Sequence, residues 1–464
     1  MRLYLSATQK SSGKTTVTVG LCAALRRRGL KVQPFKKGPD YIDPLWLSRA
    51  SGTDCHNLDF YTMEREEIRE LFVHHAAPAD VVLVEGNKGL HDGLSVDGSD
   101  SNAAMARHLD TPVVLVVDTR GMTRGVAPLV AGYAAFDPKV KVAGLILNQV
   151  GGPRHEAKLR RAIENYSDLP VLGALGRDDR LQLAERHLGL IPANEARDAE
   201  QFINRMADAV ADQVDLDALL RSAQPTQSLP TIASSGGAPV RATDVRIGIA
   251  RDRAFAFYYA GDLKALQCAG AELVPVDTLN DRHLPDVDGL FIGGGFPEAC
   301  MDGLEANGSL RHDIRTAVEN GLPVYAECGG LMYLTRSVHW QGQRREMVGA
   351  IPADAIMHAR PQGRGYVRLR ETGENPWCPG RRGELNGHEF HHSTLEDIGE
   401  GIGYAYEVLR GAGIDGRRDG LTFRNVLASY SHLRHTRSNP WADHFVDFVR
   451  RQRGAALPIA AAAT

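Results

Sequence analysis

Two stretches of this chain hold residue types whose order and spacing imply chemistry. The first, Ala7-Thr8-Gln9-Lys10-Ser11-Ser12-Gly13-Lys14-Thr15-Thr16, follows a short apolar run and leads into a helically spaced one. A loop so placed exposes successive backbone N–H groups at a helix N-terminus, where the dipole favours an anion. Phosphates are the anions expected there, with Lys14 reaching the β- and γ-phosphates and the Thr15 hydroxyl offered to magnesium. The usual first glycine of GxxxxGK[ST] is Thr8 here, yet strand, loop and helix stand in the required order. Three carboxylates support the reading: Asp40 and Asp43 in KKGPDYIDP, and Glu85 after the run VVLV. At the carboxyl ends of parallel strands such groups converge on the ligand crevice, and magnesium prefers hard oxygen ligands. The bland alternative is that the aspartates cap a turn and Glu85 is a solvated strand end. Lys36, Lys37 and Lys88 add positive charge beside the phosphates.

The second stretch, LPVYAECGGLMYL from Leu322 to Leu334, reads as a buried strand, a tight turn at Cys328 and a helix. Small residues at Ala326 and Gly330 let such an elbow close, leaving the sulfur at a helix N-terminus where the thiolate is favoured. The backbone N–H of Gly329 then serves an oxyanion, and the loop around Gly294, Gly293-Gly294-Gly295-Phe296-Pro297-Glu298, offers a second donor. A thiol nucleophile needs a base. Either His432 or His435, in ASYSHLRH, can supply it, because such groups assemble in space rather than along the chain. A buried structural cysteine is the alternative for Cys328, and the other five cysteines keep that reading. A third pattern, His388-Glu389-Phe390-His391-His392, fits HExxH formally. Zinc chemistry would need those residues on a helix. Gly387 before them, Ser393-Thr394 after them and the lack of a periodic apolar face argue instead for hydrogen-bonded histidines in a turn lining the cysteine site.

The elements that must position these residues alternate. Strands are expected at Leu3 to Ser6, Val32 to Phe35, Val81 to Glu85, Pro112 to Val117, Val142 to Asn148 and Val171 to Ala174, with helical segments such as Thr15 to Arg28 between them. Right-handed βαβ crossovers and a parallel sheet follow. From Arg221 to Thr243 the composition turns to Ser, Thr, Pro and Gly without periodicity, which reads as a linker. Alternation then resumes: strand Val245 to Ala250, helix Tyr258 to Ala269, strands Glu272 to Val276 and Leu290 to Ile292, helix Leu310 to Asn320, strand Val324 to Ala326. The fold class expected is α/β in two domains, with boundaries 1–221, linker 222–243, 244–453 and a disordered low-complexity tail 454–464.

Composition bounds the partners. The 464 residues are 43% hydrophobic and 24% charged, enough for at least two buried cores. Lysine plus arginine number 54 against 57 aspartate plus glutamate, a net charge of -3 that gives no bulk electrostatic case for nucleic acid. Apolar stretches are short and interrupted, and the start MRLYLSATQKSSGKTT is a strand and polar loop rather than a greasy leader, so neither membrane nor secretion is expected. Cys22, Cys55, Cys268, Cys300, Cys328 and Cys378 show no CxxC spacing, as in a reducing cytoplasm.

These combined motifs resemble the cobyrinic acid a,c-diamide synthase family, in which a dethiobiotin-synthetase-like ATP-binding domain is fused to a class I, triad-type glutamine amidotransferase domain. The matching segments include SSGKTTVTVGLCAALRRRGLKVQPFK, GPDYIDP, NLDFY, GLHDG, TPVVLVVDTRG, GLILNQVGGPRH, GGGFPE, YAECGGLMYL, GRGYVR, GHEFHHS and ASYSHL, in order through nearly the whole chain. The resemblance implies that ATP activates a peripheral acetate of a tetrapyrrole as an acyl phosphate, and that ammonia from glutamine then amidates it, at acetates a and c in turn. By position it implies Gly13, Lys14, Thr15, Thr16 and Asn148 at the nucleotide; Thr15, Asp40 and Glu85 on Mg2+; and Lys36, Lys37, Tyr41 and Lys88 at the acceptor. It likewise implies Cys328 as the nucleophile forming a glutamyl thioester, His432 of the SYxHL element as its base with His435 second, and Gly294 and Gly329 at the oxyanion. The partners expected are glutamine, a tetrapyrrole carboxylate and a second copy of the chain in a homodimer.

Departures mark where the acceptor is read. Cobyrinate enzymes are expected to carry FKVGPDYIDP and EGVMGL, where this chain has Lys37 and Asn87-Lys88; Arg434 also stands where many members have His. Because Lys37 and Lys88 fall beside the acceptor, siroheme amidase, which acts on the same kind of acetate, is the competing implication. Two readings of another class are a P-loop regulatory ATPase and a tetrapyrrole-binding protein with an inactive amidotransferase domain. The first leaves Cys328 and its glycine loops unexplained.

Overall fold

In the computed structural model, residues 1–178, 185–186, 189–190, 192–196, 198–224 and 241–456 are described. They divide into two units, Met1–Ala233 and Ser234–Thr464. The apolar runs of the first unit pair into one parallel sheet: β1 (Arg2–Ala7), β2 (Val32–Lys37), β3 (His56–Leu58), β4 (Val81–Glu85), β5 (Val113–Asp118), β6 (Val142–Val150) and β7 (Val171–Gly176). Their order is β3-β2-β4-β1-β5-β6-β7, and each neighbouring pair is parallel.

Near-continuous hydrophobic strands are what a sheet covered on both faces requires, because successive side chains point to opposite sides. Leu3, Leu5, Leu83 and Val116 enter one core with residues of α1 (Lys14–Arg27), α2 (Ile42–Ser51) and, later in the chain, Ala199–Gln213 and Leu216–Ser222. Tyr4, Val82, Val84 and Leu115 enter the other with α3 (Arg65–Ala76), α4 (Asn102–His108), α5 (Val126–Phe136) and α6 (Pro153–Tyr166). The parallel α/β sheet read from the sequence is therefore present. β3 was not anticipated; three residues at a sheet edge are too few to show a period. All carboxyl ends lie along one edge of the sheet, which puts the ends of β1, β2, β4 and β6, and the residues after them, on the same side.

The second unit also begins as a parallel sheet. Strands Ala271–Val276, Val245–Ala250, Gly289–Ile292, Val324–Glu327 and Val426–Ser429 lie side by side in that order. Beyond them the sheet continues antiparallel through Arg418–Phe423, Gly403–Arg410, Gly363–Glu371, Glu384–His391 and Ser431–His432. These later strands went unread in the sequence, where arginine, glycine and histidine break up the apolar pattern. Helix Gly308–Glu319 helps cover one face, and helix Trp441–Ala456 packs Phe445, Val446 and Val449 against the other. That packing carries the helix past Arg453, into the stretch expected as tail; residues 225–240 of the expected linker and 457–464 of the tail lie outside the described residues. All six cysteines are free thiols, and among the described residues no helix is long and apolar enough to cross a membrane.

The helix after the phosphate loop is held by close approach to a neighbour. A Cβ on Gly20 of α1 would sit 2.5 Å from Val210 Cγ2 and 2.8 Å from the Met206 carbonyl oxygen, so any side chain there must push Ala199–Gln213 away. Gly20→Ala is expected to lower unfolding stability by about 1–3 kcal/mol through overpacking. Gly132→Ala in α5 meets nothing within 4 Å and is expected to raise stability by roughly 0.5–1 kcal/mol. Urea unfolding of both variants checks the pair of signs.

Candidate active sites

In the first unit the loop after β1 closes at Gly13, whose φ of 83° is left-handed, and α1 starts at the next residue. Asn148, near the end of β6, donates from Nδ2 to the Ser12 carbonyl at 2.9 Å, and a Cβ on Gly13 would lie 2.2 Å from that nitrogen. Glycine is thus required there both for conformation and for space. The Ser12 hydroxyl donates to the Gln9 carbonyl at 2.9 Å, and the Tyr133 hydroxyl donates to the Thr8 carbonyl. In a trans peptide the N–H points opposite to the preceding C=O. Tying these carbonyls to the protein therefore turns the amides of Gln9, Lys10 and Gly13 the other way, as an anion cradle needs.

Charge is concentrated beside the cradle. Lys14 is buried, and burial together with the neighbouring Lys36 charge lowers its ammonium to about 8 despite Glu85, Asp43 and Asp92. An incoming phosphate would raise it again and hold the ammonium charged. The Thr15 hydroxyl donates to Glu85 Oε1 at 2.9 Å. Lys36 Nζ donates to the same Oε1 at 2.6 Å, to the Gly86 carbonyl at 3.3 Å and to Asp43. Burial alone would strip Lys36 of its proton, but Asp43 and Glu85 hold it charged, well above the ordinary lysine range. Burial likewise works against the Asp43 charge and is outweighed by the Lys36 ammonium, so Asp43 stays below the usual carboxylate range. Burial and the Asp43 charge push Asp40 up to about 7.

The predicted acidic residues thus separate. Asp40 Oδ1 accepts from the amides of Ile42 at 2.9 Å and Asp43 at 3.0 Å, capping α2 as the bland alternative foresaw. Asp43, not Asp40, shares the Lys36 ammonium with Glu85, which is fully buried rather than solvated. Among the described residues no three acidic, histidine or cysteine side chains form a complete metal site. Magnesium does not need one, since it keeps waters and binds through one or two carboxylates plus phosphate oxygens. Thr15 and Glu85 fit it: Glu85 Oε2 is buried with no hydrogen-bond partner, and an ammonium already sits against Oε1.

Of the residues expected at the acceptor, Lys37 is buried with Nζ 3.5 Å from Asn87 Oδ1, Lys88 is exposed at a φ of 38°, and Tyr41 is buried just before α2. Burial lowers Lys37, the Lys88 and Lys36 charges add to this, and Asp59 and Asp100 oppose it. Two positioning residues were missed. Asn57 on β3 donates to the carbonyls of Gly38 at 2.9 Å and Asp40 at 2.7 Å. Asn102 donates to the carbonyls of Asn87 at 2.5 Å and Gly89 at 2.6 Å. Asn57 fixes the turn that follows Lys36 and Lys37, and Asn102 the turn that carries Lys88, but a lone asparagine distant in sequence leaves no pattern to read.

In the second unit the chain leaves strand Val324–Glu327, turns at Cys328 with φ 48° and ψ -102°, and enters helix Gly329–Leu334. The Cys328 amide donates to the Ser429 carbonyl at 2.7 Å. A Cβ on Gly330 would lie 2.1 Å from the Ile292 carbonyl oxygen, so the elbow closes only with glycine there. Cys328 Sγ lies 3.7 Å from the Phe390 carbonyl and also hydrogen-bonds with His432. The glycine loop adjoins both: a Cβ on Gly294 would be 2.7 Å from His432 Cε1, and one on Gly329 would be 3.0 Å from the Gly295 amide nitrogen. As the first residue of its helix, Gly329 has an N–H without an intrahelical acceptor, which is available to a developing oxyanion.

His432 and His435 part company. His432 is buried beside the sulfur, its Nδ1 3.2 Å from Glu327 Oε2. His435 instead accepts at Nδ1 from the Ala442 amide at 3.3 Å and donates its own amide to Asp262 at 3.0 Å, anchoring the helix that starts at Trp441. His388 to His391 of the HEFHH run lie in strand Glu384–His391, not in the turn expected, and His392 follows at the bend before strand Ser393–Glu396. Pairing of Glu384–His391 with Gly363–Glu371 explains this, since each residue from Glu384 to His391 has a partner there. Four extended residues span about 13 Å, so His388 and His392 cannot share one metal. His388 does line the cysteine site, stacked on His432 with centroids 4.9 Å apart. Glu327 was passed over, although it sits inside the quoted YAECGG.

Comparison with known proteins matches both units. The CobQ/CobB/MinD/ParA nucleotide binding domain family matches residues 5–191, and the CobB/CobQ-like glutamine amidotransferase domain family matches residues 246–440. The chain is 47% identical to the cobyrinate a,c-diamide synthase of Magnetococcus marinus, covering 98% of this chain and 99% of that protein. It is 40% identical to the enzyme of the same name from Methanosarcina acetivorans, over 98% and 97%, and 40% identical to that of Archaeoglobus fulgidus, over 97% and 98%. A phosphate cradle after β1, a thiol elbow against a histidine and near full-length identity of this order agree: the chain belongs to the cobyrinate a,c-diamide synthase family.

Proposed function

We propose that this protein converts the a and c acetate groups of cobyrinic acid to amides, using ATP to activate each carboxylate and glutamine to supply nitrogen. The observation that carries the reading is the pairing of Cys328 with His432 on the same chain as the Gly13–Thr16 cradle, in a protein related over its full length to enzymes of that name. A carboxylate has no leaving group. Its oxygen attacks the γ-phosphorus of ATP, ADP departs, and the resulting acyl phosphate has one. Ammonia then attacks the acyl carbon and inorganic phosphate leaves.

In the first unit Gly13, Lys14, Thr15 and Thr16 hold the nucleotide, and Asn148 fixes the loop. Lys14 is held as the ammonium against the phosphates and offsets charge that develops there. Magnesium would be held by Thr15 and Glu85, with Asp43 and Asp40 around them, and when bound neutralises phosphate charge. Lys37, Lys88 and Tyr41 border the acceptor, whose carboxylates favour cationic neighbours. In the second unit His432 takes the Cys328 thiol proton, the sulfur attacks the glutamine carboxamide carbon, and the Gly329 amide, with the Gly294 loop, receives the oxyanion. His432 gives a proton to the departing ammonia, and water then hydrolyses the thioester to glutamate. Free ammonia is mostly ammonium at neutral pH; retaining it within the protein keeps it nucleophilic and keeps water from the acyl phosphate. Six free thiols suit a reducing compartment, and we propose the cytoplasm for the reaction.

Three measurements test this. Cys328→Ser is expected to abolish glutamine-dependent amidation, by at least about 10³-fold, while ammonium chloride still supports it; equal loss with both nitrogen sources contradicts two separable centres. Lys14→Ala is expected to lose amidation with either source by roughly 10²-fold or more. Mass spectrometry after incubation with ATP and glutamine should show cobyrinic acid gaining two amides in place of two hydroxyls. The same change on sirohaem and not on cobyrinic acid would reassign the acceptor.

A further inference from the structure

Glu327 ends the strand that delivers the nucleophile, and its side chain is buried. Along a regular strand adjacent side chains point to opposite faces, so a residue beside a nucleophile is normally turned away from it. Here the left-handed turn at Cys328 breaks that alternation, and Glu327 and Cys328 both reach His432. Each carboxylate oxygen is used: Oε2 faces His432 Nδ1 at 3.2 Å, while Oε1 accepts from the Leu433 amide at 2.9 Å and the Tyr325 hydroxyl at 2.5 Å.

We propose that Glu327 is the positioning carboxylate of the thiol–imidazole pair, fixing His432 with Nδ1–H toward itself and Nε2 toward the Cys328 sulfur. It holds the ring directly and, through Leu433, the backbone that carries the ring. This rests on the glutamine-hydrolysing role proposed for Cys328 and adds to it the group that sets the tautomer and stabilises the imidazolium. A carboxylate hydrogen-bonded to the far ring nitrogen of a catalytic histidine does both.

The surroundings leave His432 as the cation of the cluster. Cys328 and Glu327 meet it from the elbow, His388 stacks on it from Glu384–His391, and Arg434, Tyr259, Tyr325 and Asp262 lie in the next layer. Burial works against charge on His432, but the bonds to Cys328 and Glu327 outweigh it and push it up to about 10. Burial, with the His432 and Arg434 charges, keeps His388 neutral, well below the usual histidine range. Because the shift is upward, the imidazolium persists through neutral pH and is lost as pH rises through about 10, while the stability it contributes is fully present below the ordinary histidine range and is lost over that rise.

The test uses the full-length enzyme with Glu327→Gln and Glu327→Asp. Glu327→Gln is expected to lower kcat for glutamine hydrolysis by roughly 10²–10⁴-fold, with KM for glutamine within a few-fold and ammonium-dependent amidation retained. The alkaline limb of kcat/KM should move to lower pH, and alkylation of Cys328 by iodoacetamide at neutral pH, followed on its peptide by mass spectrometry, should slow. Glu327→Asp should recover part of both. Wild-type kcat and alkylation in Glu327→Gln would overturn the proposal. So would parallel loss of glutamine- and ammonium-dependent activity in both variants, which is the signature of a purely structural carboxylate. Glutamine hydrolysis that survives Cys328→Ser would instead overturn the reading on which the proposal rests.

Discussion

After β1 the chain reaches α1 through a loop with positive φ at Ser11 (62°) and at Gly13 (83°), and after strand Val324–Glu327 it enters the next helix through Cys328 alone, at a φ of 48°. Both candidate centres depend on that manoeuvre. A strand inside a sheet has its backbone groups paired, and a helix leaves its first N–H groups unpaired. Placing a left-handed residue directly before the helix brings those free amides to the sheet edge, where the flanking strand ends carry the charged side chains. At the first junction the amides face an anion site walled by Lys14, Lys36 and Glu85; at the second they face a thiol and an imidazole.

The two junctions differ in which residue bears the turn. Gly13 has no substitute, because Asn148 occupies the space a Cβ would need. Cys328 must carry a side chain, and a non-glycine residue held in a sparsely populated region costs on the order of 1–3 kcal/mol. The neighbouring fold absorbs this: the Cys328 amide is bonded to Ser429, and glycines at 329 and 330 let the helix press against the Gly293–Gly295 loop and the Ile292 carbonyl. Strain is tolerated where the surroundings leave no other path for the chain. The same surroundings are fixed by the reaction geometry, so folding and chemistry constrain the same few residues.

Electrostatics follow one plan in both places. A buried cation is held by carboxylates, Lys36 by Asp43 and Glu85, His432 by Glu327. Such clusters are poor sources of stability, since desolvation offsets most of the attraction, and removing one partner costs about 3–5 kcal/mol. Their persistence in a core otherwise built of Val, Leu and Ile is explained by what they do to reactive groups. Lys36 keeps Asp43 ionised and opposes the burial that pushes Glu85 up, next to the Thr15 hydroxyl, and Glu327 holds the imidazole that faces the Cys328 sulfur.

What the sequence revealed, and what it hid, divides along the same line. The strand–loop–helix order at Gly13 and at Cys328 was legible because hydrophobic runs, glycines and the reactive residue are contiguous, and parallel strands advertise themselves by unbroken apolar runs. The antiparallel strands between Gly363 and His432 were not, because their arginines, glycines and histidines blur any alternation, and the HEFHH run could be denied a helix without being given its strand. Asn57 and Asn102 act across turns built elsewhere in the chain, so no spacing exposes them. Asp43 displaced Asp40 beside Glu85 for a rotational reason: three residues apart at a helix start, one carboxylate caps the backbone and the other is left to reach Lys36. Glu327 was hidden by the rule that neighbours on a strand face apart, a rule that one left-handed residue suspends. A nucleophile on such an elbow can therefore draw its supporting carboxylate from the adjacent position in the chain, where a search by strand periodicity would not look.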